Sequence, residues 1–466
     1  MSVNNKTVIV DVEKVEINPQ NSPAFQSYSF RGGFPVVQFL IASQDKMLVG
    51  SSLRLNGTLR VNQSTSTEAT PVLVNNNNNK GGVAFECALN SRIGVSSCIN
   101  QITLSSQTNQ TLEVVRQYGR YLATAQSVTH SAEDLDTNVQ QQSLTASRGF
   151  QGSVGINNDV DFSIPLRTGL LSGGNPLPLG TNGIRGMVVQ IELSPDSNVL
   201  GPWFDYADPS NPVAKNNSGD GSGAYYQLRD LTLSYDLLVP NADGVAQMST
   251  ASTGSMTYNA VTHLYSVLNA SDQTQNLNLG TRKTLSIFHN FLPTVHINNY
   301  NVDSMATPSL MNSNGGSYNS EAGINEVSFS KGGILFPIEN QIDVEFPSRQ
   351  QENRPLAELD TNFINAIKPY NKMNHSLVSL NTNNQLSTNL QVDGQDAYAS
   401  TQSDPAPVFG VGVSTDPYKV GVDYSQTNYS LRIQSGLDGA SPNSVFSYVL
   451  AQNTLVYSPN GIMVSS

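Results

Sequence analysis

At 466 residues the chain exceeds what one ordinary core supports, and it divides most naturally into two domains of roughly 200 residues each. Only 13% of the residues are charged against 38% hydrophobic, so Asn, Ser, Gln and Thr must cover the surface, as in loop-rich all-β proteins rather than helical enzymes. The net charge of -12 gives no field for wrapping a polyphosphate, and the first thirty residues set only Lys6 and Lys14 against Asp11, Glu13 and Glu16, so direct nucleic-acid binding is not expected.

Met1 to Gln20 has no contiguous apolar core of a leader, and no run approaches the ~18 to 20 apolar residues that cross a bilayer, so a soluble product made in the cytosol or nucleus is expected. Cys87 and Cys98 give no disulfide framework. They read as two half-buried thiols, and their spacing leaves pairing open. Sequons such as Asn56-Gly57-Thr58, Asn269-Ala270-Ser271 and Asn428-Tyr429-Ser430 are what an Asn- and Ser-rich sequence produces by chance.

In chain order, residues 1–30 read as an extended arm with a short alternation at Val8, Val10 and Val12, able to pair with a sheet edge or a neighbouring subunit. Phe34 to Ala42 and Leu48 to Val61 are predicted as consecutive long strands, the second interrupted at Gly57. Asn75 to Asn79 is a surface loop. Strands follow over Ile93 to Leu104, Val160 to Leu166 and Gly186 to Leu193. Between them Leu112, Val115, Tyr118 and Leu122 recur at helical spacing and predict a helix over Thr111 to Ala125.

Gly169 to Gly186 and Asp196 to Gly223 read as long loops, the second holding the single tryptophan in Pro202-Trp203-Phe204-Asp205-Tyr206, either packed on the sheet rim or anchoring a subunit contact. The first half closes on a strand in which Leu231, Leu233, Tyr235, Leu237 and Val239 alternate. Tyr226 and Leu228 lie in the opposite phase, so Arg229-Asp230 must carry a one-residue slip, as a β-bulge does. Pro240 to Gly244 then reads as a turn-rich connector.

The second half repeats the style. Val261 to Leu268, the alternation Leu285, Ile287, His289 and Phe291, then Val327 to Phe336, Ile342 to Phe346, Tyr429 to Ile433 and Val445 to Tyr457 read as strands. One helix is predicted from Pro355, stopping before Pro369, with Leu356, Leu359, Phe363, Ile364 and Ile367 on one stripe. Phe39 to Ser43 echoes Val267 to Ser271, and Thr232 to Tyr235 echoes Thr454 to Tyr457, at nearly equal offsets that favour an internal duplication. The boundaries are an arm over 1–30, a first sandwich over 31–240, a linker over 241–250 and a second sandwich over 251–466.

No catalytic, cofactor-binding or metal-ligating constellation emerges, so no such residue is assigned and the chain is not read as an enzyme. His130, His263, His289, His296 and His375 lack partners at metal-ligand spacing, and Glu133-Asp134-Leu135-Asp136 reads as a solvated turn. Gly173-Gly174, Gly315-Gly316 and Gly410 to Gly412 are loop hinges rather than phosphate cradles.

The segments Arg31 to Phe39, Leu53 to Gly57, Leu228 to Leu237 and His263 to Leu292 resemble the double jelly-roll major capsid proteins of double-stranded DNA viruses, those of virophages and polinton-like viruses in particular. The resemblance implies an all-β chain of two tandem antiparallel jelly rolls with short inserted helices and long loops. It further implies homotrimers that act as pseudo-hexameric capsomers of an icosahedral virion, assembled in host cytoplasm or nucleus. Penton and other minor capsid proteins are implied as partners. Loops Asp196 to Gly223 and Met305 to Gly323 are implied to form an outward tower or intersubunit contacts. The competing reading is a carbohydrate-binding adhesin, fibre or spike using the Trp203 loop.

Overall fold

The structure is a computed structural model and describes residues 9–21, 27–63, 85–89, 94–122, 153–155, 159–172, 176–180, 183–205, 213–215, 224–250, 254–268, 272–280, 283–293, 324–336, 342–343, 411–414, 422–424, 426–435, 443–458 and 461–465. The loop at 75–79, the acidic turn at 133–136, the helix predicted over 355–369 and three of the histidines lie outside these residues.

The first half is a sandwich of two antiparallel sheets. In one, the strands run in the order Ile9–Ile17, Ala224–Pro240, Met47–Gln63 and Leu177–Pro178, with Val160–Pro165 also on Met47–Gln63. In the other the order is Val36–Ile41, Met187–Leu193, Ile99–Ser106 and Thr111–Arg116. Apart from the hairpin of Ile99–Ser106 with Thr111–Arg116 and the two short strands Val160–Pro165 and Leu177–Pro178 on one sheet, these strands cross from one sheet to the other at each step, the wiring of a jelly roll.

The second half repeats that wiring strand for strand. Gly254–Leu268, Asn443–Ser458, Lys283–Pro293 and Val411–Ser414 form one sheet, and Asp272–Leu277, Tyr429–Ser435, Ile324–Lys331 and Ile334–Leu335 the other. The duplication is thus one of topology. Of the two sequence echoes, Thr232 to Tyr235 and Thr454 to Tyr457 do lie on the same strand of each sandwich. In the other echo, Phe39 to Ile41 belong to the second strand of the first jelly roll, whereas Val267 and Leu268 end the first strand of the second, and residues 269–271 lie outside the described residues.

Period-2 alternation builds the core. Val37, Phe39 and Ile41 lie beside Val189 and Ile191 on the inner face of one sheet, and Leu53, Leu55, Leu59 and Val61 line the opposite sheet. The expected bulge is present: Asp230 has φ of 50° and the register slips between Arg229 and Thr232. Facing it, a Cβ on Gly57 would come within 2.6 Å of Leu231 Cδ2 and 2.8 Å of the Arg229 carbonyl oxygen. Only a residue without a side chain fits under the bulge, which explains the glycine inside a 17-residue strand.

Of the two roles open to the N-terminal segment, residues 9–17 take the first, pairing as the edge strand of the chain's own first sheet. Several expectations are corrected. Gly94–Cys98 is a buried 3-10 turn, so the strand expected from Ile93 begins at Ile99. The connector after Pro240 is a short helix, Ala242–Thr250, capped by Asn241, whose Oδ1 accepts the Gly244 amide at 2.7 Å. The helix expected over Thr111 to Ala125 is a strand through Arg116. Gln117, at φ 51°, then turns the chain into helix over 118–122. Leu112, Glu113 and Val115 are all buried because this strand is covered on both faces, which erases the period-2 signal and leaves a spacing that mimics a helix.

Candidate functional site

The most heavily built polar feature is the seam between the two sandwiches. Glu113, 3% exposed, lies on the outermost strand of the first sandwich. Its Oε1 accepts the amides of Gly169 at 2.9 Å and Val261 at 2.6 Å, and its Oε2 accepts the Leu170 amide at 2.9 Å. Burial raises the carboxyl above the ordinary range, and these donors partly offset it by favouring the charged form. Gly169 permits the approach, since a Cβ there would lie 2.8 Å from the Asn259 carbonyl oxygen.

Aromatic groups extend the seam. Tyr258 Oη donates to the Leu112 carbonyl at 2.8 Å, and Tyr448 Oη donates to that of Gln117 at 3.1 Å. The Arg120 guanidinium lies 4.0 Å from the centroid of Phe446, and burial lowers its pKa to about 10. In consequence every residue from 445 to 451 on the strand Asn443–Ser458 is buried, one face in its own core and the other against the first sandwich.

The equivalent face of the first sandwich has no such cover among the described residues and carries a polar ladder. Asn56 Nδ2 donates to Ser234 Oγ at 3.0 Å, Ser163 Oγ to Asn56 Oδ1 at 2.7 Å, and Arg54 Nε to Ser163 Oγ at 2.8 Å. Arg60 grips Asp159 through two contacts of 2.6 Å, which holds that carboxyl below its usual range. Thr232 hydrogen-bonds Glu16 on the edge strand.

The long loops of the first sandwich converge rather than stay irregular. Val213–Lys215, Leu200–Asp205, Phe85–Leu89 and Ser153–Gly155 pair as a separate four-stranded sheet, so the tryptophan segment is a strand, with Trp203 opposite Cys87 on one side and Lys215 on the other. At the root of this sheet, Asp196 accepts the Tyr226 amide at 3.1 Å and lies 3.8 Å from Arg31, whose guanidinium stacks 5.4 Å from the Tyr225 ring centre. Burial outweighs both partners and pushes Asp196 up to about 6. Beside it, Tyr226 Oη donates to the Ser194 carbonyl at 2.5 Å, and Cys98 is a free, buried thiol that burial raises well above its ordinary value.

His289 sits in the second core, bridging Ser447 Oγ at 2.7 Å and Tyr429 Oη at 2.9 Å and stacked on Phe329. Burial drives its pKa down to about 3, so it is neutral and structural. His263 lies at the seam between Phe446 and Tyr448, lowered to about 4 by burial and then by Arg120 and Arg116. Among the described residues no three His, Cys, Asp or Glu side chains gather as a metal site, and no helix is long and apolar enough to cross a membrane. Sequence reasoning did not find Glu113, Arg120 or Asp196. A carboxylate inside an apolar strand, Leu112-Glu113-Val114-Val115, was the available signal for the first.

No family model matches the sequence, and neither does any curated protein. Solved structures do match over essentially the whole chain. The Faustovirus major capsid protein aligns with a TM-score of 0.58 at 10% identity, covering 98% of this chain and 93% of that one. A PBCV-1 virus capsid structure aligns at 0.56 and 10% identity, covering 98% and 97%. A structure of the Sputnik virophage aligns at 0.52 and 10% identity, covering 100% and 91%. The chain has their fold, the double jelly roll.

Proposed function

We propose that the chain is the major capsid protein of a double-stranded DNA virus, a structural protein that trimerises into pseudo-hexameric capsomers tiling an icosahedral shell. The observation that carries this reading is the seam. Within one chain, the outermost strand of the first sandwich, with Glu113, and Gln117 just after it pack on the strands Gly254–Leu268 and Asn443–Ser458 of the second, with Val261 and Tyr448. The two partners are different surfaces, so the contact is heterologous, and a heterologous contact repeated by a rotation that closes makes a ring. Three chains of two sandwiches present six similar walls to such a ring.

The chain-length likeness to capsid structures supports the same reading, as does a surface of amides and hydroxyls suited to many weak, salt-tolerant contacts. The four-stranded sheet of converged loops is the natural outward tower. Location in the virion, with assembly in host cytoplasm or nucleus and with penton and minor capsid proteins as further partners, follows from this role. The test is expression of the chain alone, followed by sedimentation and electron microscopy. Trimers of about three times 50.1 kDa with a six-lobed outline are expected, and a stable monomer at micromolar concentration overturns the reading.

A further inference from the structure

A buried carboxylate holds its charge easily only where donors surround it. Glu113 meets that need with three backbone amides. Asp196 does not. Among the described residues its Oδ1 accepts a single amide, that of Tyr226 at 3.1 Å, and its Oδ2 lies 3.8 Å from Arg31 Nε, although its side chain is only 12% exposed. A charge so thinly compensated leans on the one cation beside it.

The position of Asp196 in the fold gives that dependence a consequence. Asp196 stands where the chain enters Leu200–Asp205, and Tyr226 where it has returned from Val213–Lys215, so their bond ties two legs of the four-stranded sheet together. Tyr226 Oη reaches the Ser194 carbonyl at 2.5 Å and the Cys98 carbonyl at 3.4 Å, which brings in a third leg, the one descending from Phe85–Leu89.

Arg31 belongs to none of these legs. It sits at the tip of a hairpin closed by the paired backbone bonds of Ser29 and Phe34 and turned at Gly33, whose φ is 81°. The base of the hairpin is fixed, by Tyr28 opposite Leu228 on one side and by the Pro35 carbonyl, which accepts the Leu193 amide at 2.7 Å, on the other. The tip reaches the legs through Arg31, which meets Asp196 and stacks on the Tyr225 ring. Phe30 and Phe34 flank it, 44% and 52% exposed.

We propose that Asp196 and Arg31 form a proton-operated latch between this hairpin and the root of the four-stranded sheet. With Asp196 charged, Arg31 is pinned and the tip lies on the legs. With Asp196 protonated, the Tyr226 amide keeps its acceptor and the legs stay joined. The tip then retains only its stacking on Tyr225 and swings out about Tyr28 and Pro35, taking Phe30 and Phe34 with it. The latch goes beyond the shell reading and stands apart from it.

The direction follows from linkage. Arg31 favours the charged carboxylate, so the closed tip weakens proton binding, and a bound proton therefore favours the open tip. Burial pushes Asp196 up to about 6, which sets the event at mildly acidic pH. The other titratable or charged groups facing it are Arg31 on the hairpin, Tyr225 and Tyr226 on Ala224–Pro240, and Cys98 on the 3-10 turn. Burial raises both phenols and the thiol, so none of these three ionises as the pH falls from 8 to 5.

The test uses the full chain with Cys87→Ser and Phe34→Cys, a nitroxide label at position 34, and spin-resonance spectra from pH 8 to 5. The mobile fraction is expected to rise about fivefold through pH 6, the scale of one part-exposed ion pair. Asp196→Asn and Arg31→Gln should each give the mobile spectrum at both ends of the range. In the unlabelled Cys87→Ser chain, Cys98 should react slowly with a dipyridyl disulfide at both ends, because the legs remain closed. A label equally mobile at pH 8 and pH 5 would overturn the latch. So would a step that survives in Asp196→Asn, or a label that loosens only as Cys98 becomes reactive.

Discussion

Glu113 and Val261 lie in different sandwiches and 148 residues apart, yet the carboxylate of one accepts the backbone amide of the other at 2.6 Å. The same side chain also accepts the amides of Gly169 and Leu170. One buried carboxylate therefore fixes a loop of the first sandwich and a strand of the second in a single arrangement. In the proposed shell role, where walls meet neighbours at a set angle, that rigidity is what the seam contributes.

Replacing Glu113 by Ala leaves three buried amides without an acceptor. A loss of about 3 to 5 kcal/mol is expected, the range for removing one partner from a buried charged network. Glu113→Gln keeps one acceptor oxygen but turns a donor toward an amide, and about half that loss is expected. Urea unfolding followed by tryptophan fluorescence and circular dichroism checks both. Glu113→Ala should also split one transition into two as the sandwiches uncouple.

Burial pushes the Asp196 carboxyl up to about 6 in the fold, against an ordinary 3.8. The native state therefore holds the proton more tightly than the unfolded chain. This group's stabilising contribution is fully present below pH about 4 and is lost as pH rises through 6, a change of about 3 kcal/mol. Asp196→Asn still accepts the Tyr226 amide and does not ionise. Between pH 4 and 7 the native chain should lose about 3 kcal/mol relative to this variant, read as the difference in urea midpoints across that range.

His289 behaves in the opposite sense. Its pKa falls from 6.5 to about 3 on folding, so its contribution is fully present above pH 6.5 and is lost as pH drops toward 3. His289→Gln can still bond Ser447 and Tyr429. From pH 6.5 to 4.5 the native chain should lose about 2 kcal/mol more than the variant, and its acid-unfolding midpoint should lie at the higher pH.

Gly57→Ala places a methyl 2.6 Å from Leu231 Cδ2 and 2.8 Å from the Arg229 carbonyl oxygen. The backbone oxygen sits at the bulge and has no room to retreat, so a cost of about 1 to 3 kcal/mol is expected. Denaturant midpoints measure it directly.

Much of this was legible in the chain. Alternation at Leu231, Leu233, Tyr235 and Leu237 gave a strand because one face of that sheet meets the core and the other meets polar partners. The slip at Arg229-Asp230 was visible because a bulge shifts the parity of everything beyond it. Thr111 to Arg116 was misread for the converse reason. Covered on both sides, it keeps no alternation, and a strand without alternation looks like the apolar stripe of a helix.

The amino-acid order by itself determined the class of fold, two β sandwiches in tandem, because burial on one face of a strand writes a local, period-2 pattern into the sequence. Tertiary structure alone decided which surfaces meet. The bonds from Glu113 to Val261, from Tyr448 to Gln117 and from Asp196 to Tyr226 join residues brought together only by strand order, and no local pattern encodes a contact whose partner lies in another sheet.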